Sequence, residues 1–114
     1  MPDDLLDAVL AALSEPTRRQ ALRLLQAHDE LCVCELMAEL GATQSRMSRH
    51  MGTLKAAGLV LDRRDAQWVR YRRNPRVPPA IKAVVRSVLA ASSATSPNQT
   101  VRKAISSKTE RLSP

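Results

Sequence analysis

The stretch TQSRMSRHMGTLKAAGLVLDRRDAQWVRYRRNP, Thr43 to Pro75, changes its period halfway along. In its first half Met47, Met51 and Leu54 recur at helical spacing, Thr43 with Gln44 is a suitable cap region, and Gly58 is a natural stop. In its second half apolar and polar residues alternate, and Val60, Trp68, Val69 and Tyr71 favour extended chain. Arg63, Arg64, Asp65 and Ala66 sit at the middle of that half, where a turn makes a two-stranded hairpin. Pro75, Pro78 and Pro79 close the unit. A helix running straight into a basic hairpin is the organising feature of the chain.

Upstream, Leu5, Leu6, Val9, Leu10 and Leu13 predict a first helix over about 4–13, with Asp3 or Asp4 at its start. Ser14-Glu15-Pro16 reads as a cap followed by proline in the first turn of a second helix, whose apolar face is Ala21, Leu22, Leu24 and Leu25 and which runs to about Ala27. A third helix near 33–40 ends at Gly41. Downstream, Ile81, Val84, Val85, Val88 and Leu89 mark a last helix ending near Ala91. From Ser92 the text is rich in Ser, Thr, Asn and Pro. Residues 92–114 are expected to be a disordered basic tail, with a short helix over 100–105 as its one ordered option. The expected division is therefore a 1–91 domain and a 92–114 tail.

The 114 residues suit one domain, and 44% hydrophobic residues with no Phe, one Trp and one Tyr point to an aliphatic, mainly helical core. Neither a spanning apolar run nor a basic leader is seen, so a cytoplasmic protein without membrane partners is expected. The net charge of +7 is unevenly placed. Residues 1–42 carry 3 basic and 8 acidic groups, residues 43–73 carry 8 and 2, and residues 74–114 carry 7 and 1. A basic block beside an acidic one suggests a polyanion bound by one part of the fold.

The only cysteines, Cys32 and Cys34, are one residue apart in ELCVCEL, Glu30 to Leu36. In a reducing compartment such a pair points to metal, metalloid or redox chemistry rather than a structural crosslink. A thiol at a helix N-terminus ionises more readily, because the positive end of the helix dipole favours the thiolate, and soft ions prefer thiolates. On a regular helix, positions two apart point roughly 200° apart. Both sulfurs can therefore hold one ion only where the first turn is distorted or not yet helical.

Taken together, LSEPTRRQALRLL, ELCVCEL and the Thr43–Pro75 stretch, in that order over about Leu13 to Pro75, closely resemble the ArsR/SmtB family of winged-helix repressors, and in particular its arsenic-responsive members. The resemblance implies a winged helix-turn-helix of about five helices with a small β-hairpin wing. It implies a homodimer joined by its first and last helices, double-stranded operator DNA as partner, and an inducer that releases it. It assigns trivalent arsenic or antimony to Cys32 and Cys34, with no further cofactor. The family's usual form is ELCVCDLC; here Met37 replaces the later cysteine, and water, hydroxide, a thiol or an organic substituent on the arsenic is left to supply the third donor.

The residue types suit those roles. Gln44, Ser45, Arg46, Ser48, Arg49 and His50 on the fourth helix offer donors for base edges and phosphates, Lys55 follows at its end, and Arg63, Arg64, Arg70 and Arg72 bring charge along the wing. The proposed switch is a metalloid that draws the two sulfurs together and moves the recognition helix that follows. A thiol-redox repressor of the same fold is the alternative. A zinc site on the last helix is unsupported, since no His, Cys or Asp follows Pro75, and no nucleophile and acid–base constellation marks an enzyme.

Overall fold

The computed structural model describes residues 3–95. Five helices and three strands follow in the order α1 (Asp3–Leu13), α2 (Pro16–Ala27), β1 (Leu31–Cys32), α3 (Val33–Leu40), α4 (Gln44–Ala56), β2 (Val60–Asp65), β3 (Trp68–Arg73) and α5 (Pro79–Thr95). The helix boundaries follow local chemistry. Glu15 caps α2 by accepting the amides of Thr17 and Arg18, with Pro16 in the first turn. Gly41, at φ 64°, closes α3 in the left-handed conformation that glycine adopts without strain. Thr43 caps α4 by accepting the Arg46 amide at 3.2 Å. Helix, a short turn at Gly41–Thr43, and helix again make the helix-turn-helix unit.

Three expectations are corrected. The wing is a three-stranded antiparallel sheet in the order β1-β3-β2, because Leu31 and Cys32 pair with Tyr71 and Arg70. Its turn lies later than expected. Asp65 and Trp68 are the last cross-strand pair, Ala66 takes a positive φ of 57°, and Arg63 and Arg64 stand within β2. The last helix continues to Thr95, past its expected end near Ala91, and Arg19 Nε donates to Ser92 Oγ at 3.0 Å, tying α2 to this extension. The rest of the anticipated tail, including 100–105, lies outside the described residues.

One aliphatic core joins all the helices and the sheet. Leu25, Leu36, Met47, Met51, Leu54, Leu89, Val9, Val33 and Val60 are its largest fully buried side chains, so Met47 and Met51 are packing residues. Leu36 locks α3, and with it the cysteine segment, onto this core. Leu36→Ala should cost about 2–5 kcal/mol of stability, read as a lowered denaturant midpoint at fixed protein concentration.

Candidate functional site

The cysteine segment resolves the geometric conflict between two sulfurs and one helix. Cys32 is not in α3 but is its N-cap, extended at φ −70° and ψ 149°. Its Sγ takes the place a serine hydroxyl would have, accepting the Cys34 amide at 3.2 Å, while Glu35 Oε1 accepts the Cys32 amide at 2.7 Å. With Cys32 on the extended side and Cys34 in the first turn, the Cα atoms are 5.2 Å apart and the two sulfurs meet, paired with each other. No distortion of α3 is needed to bring them together: of the two expected ways for the sulfurs to meet, the chain takes the one in which Cys32 is not yet helical. Cys32 is buried and Cys34 half-buried; Met37 is half-buried against the hydrophobic core. The spacing Cys32-x-x-Glu35 carried the signal for this cap, since it repeats the S/T-x-x-E pattern with sulfur for oxygen.

Immediately before the pair, Glu30 binds two arginines of the wing. Its carboxylate accepts Arg63 Nε and Nη2, each at 2.8 Å, and Arg70 Nε at 2.9 Å. Arg70 also approaches Glu35 Oε1 at 3.9 Å. The Arg63 hydrogen bond first, and then that of Arg70, hold the Glu30 carboxyl down from 4.5 to about 2. Because the folded-state value is depressed, the stabilisation from this cluster is present above pH 4.5 and is lost as the pH falls toward 2. Sequence reading missed the cluster, as nothing local links Glu30 to residues 33 and 40 positions away.

The remaining predicted DNA contacts fall into two groups. Gln44, Ser45, Arg46, Ser48 and Arg49 are exposed on α4, and Ser45 and Arg49 lie opposite the buried Met47–Met51–Leu54 stripe. Arg64 is exposed on β2; Arg72 is exposed on β3 and borders a cleft with Lys82 and Arg86 of α5. His50 is turned inward instead, 15% exposed, with Nδ1 3.2 Å from Arg18 Nη1 and Nε2 3.8 Å from Glu15 Oε2. It braces α4 against the start of α2. Lys55 Nζ pairs with Asp62 at 3.1 Å, fastening α4 to β2. Arg63 and Arg70 are held by Glu30 as described.

A recognition helix presented by a helix-turn-helix and flanked by a basic wing is a DNA-reading arrangement. The family described as "Bacterial regulatory protein, arsR family" matches residues 15–61, from the α2 cap into the wing. The arsenic resistance transcriptional regulator ArsR2 of Pseudomonas putida is 44% identical over 85 residues, covering 75% of this chain and 74% of that protein. The chain belongs to the ArsR family. The arsenical resistance operon repressor of Escherichia coli is 42% identical over 66 residues, which cover 58% of this chain and 56% of that repressor. Among solved structures, the homodimeric winged helix-turn-helix DNA-binding domain of a possible ArsR-family regulator from Mycobacterium bovis superposes with a TM-score of 0.64 at 27% identity, covering 79% of this chain and 80% of that one. Membership makes this ArsR-family chain a transcriptional regulator with a DNA-binding winged helix rather than an enzyme. No helix among the described residues is long and apolar enough to cross a membrane.

Proposed function

We propose that this chain is a dimeric repressor that holds operator DNA in its metalloid-free form and releases it when trivalent arsenic or antimony is captured by Cys32 and Cys34. The observation that carries this reading is the meeting of two sulfurs at the N-cap of α3, the helix that leads directly into the recognition helix. The names of the arsenic-resistance relatives support the choice of ion. Soft trivalent metalloids favour thiolates over the oxygen and nitrogen donors nearby. Solution supplies the third donor. Gln44, Ser45, Arg46, Ser48 and Arg49 meet the major groove, and Arg64 and Arg72 meet the backbone from the wing.

A second reading is favoured by the same contact between sulfurs: oxidation of the pair, rather than an ion, as the signal. Operator binding measured with arsenite, antimonite, zinc and peroxide separates the two. Release by arsenite under reducing conditions supports the metalloid reading; release by peroxide alone supports the other.

Dimerisation is assigned to α1 and α5. Leu5 and Leu10 are 38% and 45% exposed on α1, and Ile81, Val84, Val85 and Val88 are half-buried on α5, which leaves apolar surface for a symmetric partner. Covering the part of each leucine that is still exposed stabilises the dimer by about 0.5–1.5 kcal/mol, and each leucine counts once in each subunit. Replacing Leu5 and Leu10 together by Asp should therefore raise the dimer dissociation constant at least about tenfold. Light scattering at micromolar concentration reads this directly, and a monomeric wild type would remove the dimer from the reading.

A further inference from the structure

Arg63, Arg70 and Cys32 stand opposite one another in a single row across the sheet, since Cys32 pairs with Arg70 and Arg70 with Arg63. One carboxylate, Glu30, binds both arginines, and Glu35 bridges from the Cys32 amide toward Arg70. We propose that Glu30 is a positioning residue that competes with DNA phosphate for Arg63 and Arg70, and that the cysteine turn sets the outcome of that competition. The proposal rests on the metalloid-sensing reading and extends it from the sulfurs to the wing.

The chemistry of the competition is specific. A guanidinium forks a carboxylate and a phosphate with the same parallel N–H pair, so an arginine committed to Glu30 is unavailable to the DNA backbone. Arg63 is engaged in that two-bonded way, at 2.8 Å on both nitrogens. Of the five arginines in β2 and β3, Glu30 holds two, while Arg64, Arg72 and Arg73 make no ion pair among the described residues. The wing therefore has a fixed share of charge for DNA and a share under control.

Control follows from connectivity. Glu30 precedes Cys32 by two residues and Glu35 follows it by three, so the two acidic anchors flank the sulfur pair. Between Glu30 and α3 the strand β1 has two residues, Leu31 and Cys32, and a ligand on the sulfurs fixes its end. In the structure the sulfurs are together and both arginines are on Glu30. The bond between the sulfurs stands in here for a metalloid that clasps both: a clasped pair keeps the arginines on the carboxylate, and two separated thiols let Glu30 give them up to phosphate. Release of DNA then comes partly from the wing and not only from a shift of α4.

The test uses Glu30→Gln, which keeps the shape and removes the charge. Operator affinity is measured over a salt series with and without arsenite, beside arsenite uptake by equilibrium dialysis. The variant should bind operator about tenfold more tightly without arsenite, the difference in a charge-assisted hydrogen bond. Its log–log salt slope should steepen by about 0.9 for each arginine freed to a phosphate. Arsenite should still be taken up as in the wild type yet weaken DNA binding at least about tenfold less. Adding Arg63→Ala to Glu30→Gln should return the slope toward the wild-type value, a reversal that simple damage to the fold does not produce. A Glu30→Gln protein with unchanged slope and wild-type release overturns the proposal. If the wild type itself ignores arsenite, the sensing reading fails instead, and the salt slope alone decides whether Glu30 and phosphate compete.

Discussion

A chain carrying Cys32→Ser and Cys34→Ser together keeps its operator when arsenite is added, while binding that operator without arsenite as the wild type does. The second half of this expectation comes from the local structure. Cys32 is a cap whose sulfur accepts the Cys34 amide, and serine is among the best residues for that position, so the start of α3 and its capping box with Glu35 survive. The first half comes from donor chemistry. A hydroxyl is a hard, weakly acidic donor that a soft metalloid does not favour, and the chain holds no other cysteine. Operator titrations of the double variant across the arsenite range check both halves. Release at the wild-type arsenite concentration would place the inducer site elsewhere and end the assignment to this pair.

Operator affinity is expected to fall steeply with salt. A dimer in which Arg46, Arg49, Arg64 and Arg72 of both subunits meet phosphate makes on the order of six to ten such contacts, and raising salt from about 50 to 200 mM then weakens binding by roughly 10³–10⁵. Arg46→Ala with Arg49→Ala should flatten the log–log slope by about 0.9 for each contact removed. Arg64→Ala should do the same from the wing. His50→Ala should leave the slope alone and lower stability instead, because that ring is packed between α4 and α2 and is bonded to Arg18. Fluorescence titrations over a salt series distinguish these outcomes; an unchanged slope in Arg64→Ala would take β2 out of the interface.

The two predictions divide one surface into parts that the chain alone does not separate. Eight basic residues between 43 and 73 look equivalent as text. In the fold Arg46, Arg49 and Arg64 are exposed, Lys55 is bonded to Asp62, and Arg63 and Arg70 are bonded to Glu30. A charge already bonded within the protein adds less to the field at the DNA, and this is why net charge overstates what the wing presents.

What the sequence determined by itself was the part of the molecule governed by short-range rules. Helix periods, the Pro16 start, the Thr43 cap and the Gly41 and Gly58 stops depend on residues three to five apart, and α1 to α4 lie within a residue or two of their expected bounds. The cysteine spacing and the Arg-rich hairpin were equally plain. Tertiary structure alone decided the rest. Two residues, Leu31 and Cys32, are too few to announce a strand; they become one by pairing with β3, 38 or more residues away. That pairing makes Cys32 extended, and its extension is what lets its sulfur meet that of Cys34. The bonds of Glu30 to Arg63 and Arg70, and of His50 to Arg18, likewise join distant segments. Such contacts depend on which chain segments the folded core brings together, and no local pattern of residue types encodes them.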